Sequence, residues 1–187
     1  SSSAASDVYK RQEEIAMQEA RLTKDRLKDP IGQRWYPLHR GRDGCRTPMQ
    51  WSGEANGGFS TGEPWLPVGP AADRLNVTDE DRDPRSHLNF VKRLIHLRKS
   101  LPVLQEGDYE SLNCGSPEDV FCYRRQTKQR KLLICLNFSS RRQEIRLPQS
   151  NKQYRVVLST ELNRHSENSY FEPVLSIDEG VIVEEPL

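Results

Sequence analysis

Residues that could bind a sugar are concentrated in one stretch, residues 41–51, which reads Gly-Arg-Asp-Gly-Cys-Arg-Thr-Pro-Met-Gln-Trp. Two arginines, one aspartate and three tryptophans lie in or near it: Arg42, Arg46, Asp43, Trp35, Trp51 and Trp65. An indole face can stack on the C–H face of a sugar ring while charged groups bind its hydroxyls. Such side chains are often presented on loops that a rigid scaffold holds. The same residue types would also fit an Arg–Asp pair and buried tryptophan anchors that only hold a long loop in place.

The backbone pattern of residues 41–68 predicts a loop. Neither helical nor strand periodicity runs through it, and Gly and Pro occur too densely for a long regular element. Thr47-Pro48 is expected to fix the chain direction, because proline locks φ and restricts the residue before it. We predict that Trp51 is a packed anchor rather than a stacking surface.

Three segments together resemble a known family: residues 41–51, the run Gly-Phe-Ser-Thr-Gly-Glu-Pro-Trp-Leu-Pro-Val at 58–68, and residues 83–104. They are similar to the C-terminal part of the α-glucosidases, including oligo-1,6-glucosidase, within the α-amylase-type glycoside hydrolases (family 13). The Arg-Thr-Pro-Met-Gln-Trp element is the most specific part. The resemblance runs from about residue 13 to the end of the chain and is weakest beyond about residue 139.

The resemblance implies an α/β plus all-β protein. Residues 13–104 would be the last part of a catalytic (β/α)8 TIM barrel, with a long loop and the final helix. Residues 105–187 would be a C-terminal antiparallel β-sandwich. Residues 7–12 resemble the translated end of a sequencing adapter, so residues 1–12 are interpreted as an assembly scar, with an ordinary disordered terminus as the alternative.

The resemblance also implies substrate-binding residues. Arg42 matches the arginine that reaches the non-reducing-end glucose, and its five N–H donors could bind hydroxyls and a carboxylate together. Asp43 is expected to hold that guanidinium or to cap the turn. Arg46 is the second choice as a sugar contact, and a structural ion pair suits it better. Glu13 and Glu14 would follow the eighth barrel strand and line the pocket, although acidic residues also favour a helix N-terminus.

The reacting groups of such an enzyme are not predicted in this chain. A retaining glycosidase uses two carboxyl groups about 5–5.5 Å apart, and the family carries its Asp nucleophile, Glu acid/base and second Asp on barrel strands upstream of this segment. We therefore predict no catalytic residue, cofactor or metal site here, and an inactive fragment with a partly exposed apolar helix face. Two alternatives stay open: a non-catalytic relative such as a transporter heavy-chain ectodomain, and a carbohydrate-binding β module.

The resemblance implies an oligosaccharide of the maltose or isomaltose type as partner, and the composition argues against nucleic acid or a membrane. The net charge is only +1 and 29% of residues are charged, so no strong field favours polyanions. No apolar run approaches the roughly 20 residues of a membrane span, and no signal peptide is visible. We expect a cytoplasmic protein with a monomeric parent enzyme.

The four cysteines lack metal-type spacing and are expected to be ordinary buried thiols, with a Cys114–Cys122 bridge as a lesser alternative. His165 stands alone among polar residues, which does not suggest a ligand.

Local signals predict two helices and a run of strands. A short helix is expected over 23–27 with Thr23 as N-cap, followed by a turn at Asp29-Pro30. A longer helix should be capped by Asp83, start at Pro84 and end before Pro102. Its apolar stripe comprises Leu88, Phe90, Val91, Leu94, Ile95, Leu97 and Leu101. Strands are predicted at 120–124, 131–137, 143–147, 154–158, 174–177 and 180–184.

Overall fold

The computed structural model describes residues 22–39, 41–115, 118–149, 151–161, 164 and 170–186. The predictions for the leader 1–12, for Glu13 and Glu14, and for His165 lie outside the described residues. The chain divides into two compact units, Ser1–Asn89 and Phe90–Leu187. The domain boundary predicted after residue 104 stays a prediction.

The described part of the first unit consists of short helices joined by loops. In chain order they are a 3₁₀ helix Lys24–Arg26, helix α1 Pro30–Trp35, 3₁₀ helices Asp43–Cys45 and Ala55–Gly58, and helix α2 Val77–Arg82. A small apolar cluster of Leu22, Leu27 and Leu66, with Tyr36 packed against it, links the first segment to the second half of the long loop. The irregular backbone predicted for residues 41–68 is confirmed.

The start of helix α1 differs from the prediction of a turn at Asp29-Pro30. Asp29 is the N-cap, its carboxylate accepting the N–H of Ile31 at 2.9 Å, and Pro30 occupies the first helical position. The turn prediction is wrong because the same dipeptide is also a favourable helix start. The predicted short helix at 23–27 is a 3₁₀ turn, and Thr23 makes no side-chain cap there.

Helix α3, His87–Ser100, begins later than predicted. Asp83 ends helix α2 instead of opening α3. The N–H of Asn89 donates to Ser86 Oγ at 3.1 Å, so Ser86 supplies the cap, and the carboxylate of Glu80 accepts the N–H of Leu88 at 3.2 Å. The predicted end is confirmed: α3 stops before Pro102, which is the first residue of helix α4, Pro102–Glu106.

The second unit contains mostly antiparallel β-structure. Its strands are β1 Asp108–Leu112, β2 Val120–Gln126, β3 Lys131–Asn137, β4 Gln143–Glu144, β5 Arg155–Ser159, β6 Val174–Leu175 and β7 Gly180–Glu185. Five strands form one sheet in the order β1-β2-β3-β7-β5, and β4 pairs with β6 in a second, two-stranded sheet. The prediction for β3 matches in both bounds, β1 was missed, and the strands predicted at 143–147 and 174–177 shorten to two residues each.

Strand β3 is covered on both faces of the sheet. On one face lie Leu133 and Cys135, packed with a cluster that also contains Ile145, Tyr154, Phe171, Leu175, Val181 and Val183. On the other face Leu132 and Ile134 pack with Val103, Leu104, Leu158 and Ile182, and with Phe90, Leu97 and Leu101 of the α3–α4 region. Burial on both faces explains why β3 reads as a continuous apolar run instead of an alternating one.

Helix α3 keeps part of its apolar stripe exposed. None of its residues is buried, and Leu94 and Ile95 are 38% and 50% exposed. The prediction of a partly exposed apolar helix face is therefore confirmed.

Three of the four cysteines form a buried thiol cluster, two of them in strands β2 and β3 and the third just after β1. Cys114, Cys122 and Cys135 are buried thiols, Cys45 is partly buried, and Cys122 lies opposite Cys135 across β2 and β3. A hydrogen bond with Cys122, together with burial, raises the pKa of Cys114. The bond from Cys114 lowers the pKa of Cys122, but a bond with Cys135 and burial raise it to about 12. Free buried thiols are thus confirmed, and the Cys114–Cys122 bridge is not formed.

Within the described ranges, no helix combines the length and the apolar character that a membrane crossing requires.

Candidate functional site

Asp29 organises the loop that carries Arg42. Its Oδ1 caps helix α1 through the N–H of Ile31, while Oδ2 accepts the backbone N–H of Arg42 at 2.9 Å. The same Oδ2 lies 3.7 Å from Nε of Arg42. Asp29 is 6% exposed, so one buried carboxylate joins the helix start to the loop and faces the guanidinium. Sequence reasoning missed this residue, although its position directly before Pro30 is a known N-cap signal.

The electrostatics around Asp29 favour its ionised form. Hydrogen bonds from the N–H groups of Ile31 and Arg42 are the main causes that lower its pKa, and burial opposes them. The positive charges of Arg42 and Arg46 lower it further. Arg46 therefore acts on Asp29 through its charge, in keeping with the structural role that the sequence favoured for it.

Asp43 has a different role from the one expected. Its side chain is fully buried, and Oδ2 accepts the backbone N–H groups of Lys28 at 2.6 Å and Asp29 at 2.8 Å. Of the two roles expected for Asp43, holding the guanidinium of Arg42 is not observed, because Asp29 faces that group; like a cap, the carboxylate of Asp43 instead binds backbone N–H groups. The other oxygen, Oδ1, is buried and accepts no hydrogen bond from the described residues. Asp43 thus fixes the segment before helix α1, where it orients Asp29.

Gly41 allows the loop to approach Asp29 closely. Its φ is +72°, and a Cβ at this position would lie 2.8 Å from Cβ of Asp29. Its N–H donates to Nδ1 of His39 at 3.0 Å. A residue with a side chain would therefore be strained here and would push Arg42 away from the carboxylate that binds it.

Arg42 combines a fixed backbone with a solvent-accessible head group. Its N–H is bound by Asp29, and its carbonyl accepts the N–H of Cys45 at 3.1 Å at the start of the 3₁₀ helix. Its side chain is nevertheless 57% exposed. With one carboxylate at 3.7 Å, the guanidinium keeps N–H donors directed to solvent, where they could bind neighbouring hydroxyl groups.

The second half of the loop is tied down by its backbone while its aromatic rings stay exposed. Trp51 donates its N–H to the carbonyl of Gly57 at 2.7 Å and accepts the N–H of Thr78 at 3.0 Å. Trp51 is 50% exposed, and Trp35 and Trp65 are 54% and 62% exposed. The prediction of a packed Trp51 is wrong, and these exposures do not support the alternative of buried tryptophan anchors. Leu66, which is fully buried, is the anchor instead.

The arrangement suits recognition of a neutral polar ligand. It offers an exposed guanidinium on a loop held by backbone hydrogen bonds, and Trp51 and Trp65 of the same loop are half-exposed. Arg42, Asp43 and Arg46 lie near one another around Asp29, whereas Glu14 is outside the described residues. The described residues contain no group of three or more His, Cys, Asp or Glu side chains that could hold a metal ion.

Comparisons of the sequence with family models and with curated proteins find similarity to α-amylase-type enzymes. The family model described as "Alpha amylase, catalytic domain" matches residues 4–107. A probable α-glucosidase of Rhizobium meliloti is 38% identical over 120 residues, which cover 59% of this chain and 22% of that protein. An oligo-1,6-glucosidase of Heyndrickxia coagulans is 34% identical over 139 residues, which cover 74% of this chain and 24% of that protein. The chain therefore spans less than a quarter of the length of these relatives.

Solved structures agree with these matches. The crystal structure of isomaltulose synthase from Klebsiella sp. LX3 superposes with a TM-score of 0.66 and 30% sequence identity. The superposition covers 77% of this chain and 26% of the synthase chain.

Proposed function

The chain belongs to the α-amylase family of glycoside hydrolases, and from this premise we propose that it is the C-terminal part of a retaining α-glucosidase that releases terminal α-linked glucose from oligosaccharides. Residues 13–104 would be the last part of the (β/α)8 barrel and residues 105–187 the C-terminal β-sandwich. The observation that carries the proposal is the guanidinium of Arg42, exposed but positioned by the buried carboxylate of Asp29.

Arg42 is the proposed substrate contact. Its exposed N–H groups would donate to neighbouring hydroxyls of the non-reducing-end glucose, while Asp29 keeps the guanidinium from rotating away. Asp43 and Gly41 would support this position without touching the sugar. Arg46 is assigned the structural role, through its charge near Asp29.

The bond-breaking step is assigned to the parent enzyme. A retaining mechanism needs a nucleophilic carboxylate and a carboxylic acid on opposite sides of the glycosidic bond. We propose that these groups are contributed by barrel strands that precede this segment in the parent enzyme, and that the chain by itself positions substrate without hydrolysing it. The names of the relatives, α-glucosidase and oligo-1,6-glucosidase, support glucose as the sugar in this pocket. Maltose and isomaltose are the proposed substrates, and three buried thiols are in keeping with a cytoplasmic enzyme.

Two measurements test this proposal. The purified chain should release no glucose from maltose, isomaltose or p-nitrophenyl α-glucoside, and measurable release would contradict the assignment of the reacting groups to the parent. In the parent enzyme, Arg42→Lys should lower kcat/KM about 100-fold, because lysine cannot reproduce the paired donors. Arg85→Lys, at an exposed position between α2 and α3, is the matched control and should leave kcat/KM unchanged. Equal kcat/KM values for the two variants would contradict the assignment of Arg42 as a substrate contact.

A further inference from the structure

A cleft of about 440 Å³ lies in the second unit, where the β2–β3 turn, the start of β5 and the end of β7 meet. Its walls include Gln129, Arg130, Gln153, Arg155, Tyr170 and Glu184. This volume lies in the range of small-ligand sites. Among the described residues of the second unit, it is a place where an exposed aromatic ring lies beside several planar polar side chains, and nothing in the barrel-derived function uses it.

Tyr170 is held with its ring outward. It bridges to Arg155 of β5, and the next residue, Phe171, donates its N–H to the carbonyl of Tyr154 at 2.7 Å. Phe171 is 6% exposed and belongs to the core cluster, whereas Tyr170 is 63% exposed. Since neighbouring residues of an extended segment point to opposite sides, burial of Phe171 fixes Tyr170 at the cleft.

The charges in the cleft are largely neutralised. Both carboxylate oxygens of Glu184 are paired, Oε2 with NH2 of Arg155 at 2.8 Å and Oε1 with Nε of Arg130 at 2.7 Å. Burial would raise the pKa of Glu184, but the two guanidinium groups lower it, so the carboxylate stays ionised. The side chain of Arg155 is 57% exposed and keeps N–H donors beyond the one that Glu184 accepts.

We propose that this cleft binds a neutral oligosaccharide, with one pyranose ring stacked on Tyr170 and its hydroxyls bound by Arg155 and by the amides of Gln129 and Gln153. An exposed ring beside forked donors and amides matches the two faces of a sugar, one of C–H groups and one of hydroxyls. An anion is disfavoured because two carboxylates, those of Glu184 and Glu185, line the cleft together with the two guanidinium groups. The proposal concerns a second binding surface, and it stands whether or not the parent enzyme hydrolyses α-glucosides.

The test is a titration of the ¹⁵N-labelled chain with maltotriose, followed by NMR. Amide shifts are expected around residues 129–130, 153–155, 170 and 184. Tyr170→Ala should weaken binding at these amides about tenfold, and Tyr170→Phe, which keeps the ring, should change it by less than about threefold. Tyr109→Ala is the control: this tyrosine is 55% exposed and lies on β1, at the opposite edge of the five-stranded sheet.

Several outcomes would overturn the proposal. One is the lack of shifts at these amides on addition of maltotriose, and another is a response to inorganic phosphate instead. Equal weakening by Tyr170→Ala and Tyr109→Ala would also exclude the assigned stacking. If Tyr170→Ala does not fold, the shifts of the wild-type chain still test whether maltotriose binds at this cleft, and Tyr170→Phe still tests whether the ring rather than the hydroxyl is needed. Shifts at residues 41–51 would report the loop of the first unit, so failure of the proposed function is read separately.

Discussion

Oδ2 of Asp29 accepts the backbone N–H of Arg42 at 2.9 Å and lies 3.7 Å from Nε of the same residue. Asp29→Ala should therefore release the loop and the start of α1 together. We expect the amides of Ile31 and Arg42 to lose about 1–2 kcal/mol of protection, since each loses its acceptor. Hydrogen exchange should be about 5–30-fold faster at both sites. Asp25→Ala, at an exposed aspartate of the preceding 3₁₀ helix, is the control, and unchanged exchange at Arg42 would contradict the role given to Asp29.

The same carboxylate predicts a pH dependence. The pKa of Asp29 is lowered in the folded chain, chiefly by the N–H groups of Ile31 and Arg42. The folded state therefore binds the proton less readily than the unfolded state does. The stability contributed by Asp29 is complete above its unfolded pKa of about 3.9 and is lost as pH falls through the lower, folded value. The difference in local protection between wild type and Asp29→Ala should shrink below about pH 4. A difference that stays constant from pH 7 down to pH 2 would show that the charge of Asp29 is unimportant.

Gly41→Ala should destabilise the loop more than an ordinary glycine substitution. The φ of +72° and the 2.8 Å approach to Cβ of Asp29 both oppose a side chain. We expect a loss of about 1–2 kcal/mol in the protection of the Arg42 amide. Gly62→Ala is the matched control, since a Cβ there would come no closer than 3.9 Å to Oγ of Ser60. Equal exchange rates in the two variants would argue against the close approach at Gly41.

Glu185→Gln should strongly destabilise the second unit. Its fully buried carboxylate accepts from Nε and NH2 of Arg124 at 2.7 and 3.1 Å, and the hydroxyl of Tyr154 donates to it at 3.4 Å. Removing the charge leaves a guanidinium that is only 13% exposed with one charged partner, Glu110 at 2.8 Å, instead of two, which should cost about 3 kcal/mol. Thermal unfolding should show a Tm lower by about 10 °C or more.

Arg141→Gln is the control for this experiment. Arg141 pairs with Asp119 at 3.2 Å, but its side chain is 76% exposed, so the change should stay within about 1 kcal/mol. Similar Tm values for the two variants would mean that burial does not strengthen the Arg124–Glu185 pair.

Much of the second unit was predictable because its strands are apolar. Residues 131–137 contain an uninterrupted apolar run of residues that favour β-strands, so both ends of the strand could be predicted from the sequence. Strand β1 was missed because Asp108–Leu112 is mostly polar and exposed, as expected of an edge strand with little to bury. Its pairing with β2 depends on backbone hydrogen bonds and on residues far along the chain, which no local pattern reveals.

The loop residues were predicted less completely because their roles depend on tertiary contacts. Resemblance identified Arg42, but either Asp29 or Asp43 could pair with its guanidinium. From the sequence, Asp43 was chosen because it is adjacent. In the structure Asp43 turns inward to the N–H groups of Lys28 and Asp29, and the more distant Asp29 faces Arg42. At the start of α3 the sequence predicted Asp83 as the cap, whereas in the structure the N–H of Asn89 donates to Oγ of Ser86.

Burial of β3 on both faces has a consequence for strand alignment. A strand with one wet face resists slippage, since a shift by one residue would expose its apolar side chains. This penalty on a shift is weak for β3, because Leu132, Leu133, Ile134 and Cys135 are all buried and apolar side chains would still face both sides after a shift of one residue.

Polar groups at its two ends can take over this task. At one end Nδ2 of Asn137 donates to the carbonyls of Arg141 and Ser176, both at 2.7 Å. At the other, Arg124 of β2 reaches across β3 to Glu185 of β7. A shift in register would break both sets of bonds inside the protein. These few polar contacts therefore fix the register of a strand whose apolar side chains do not specify it.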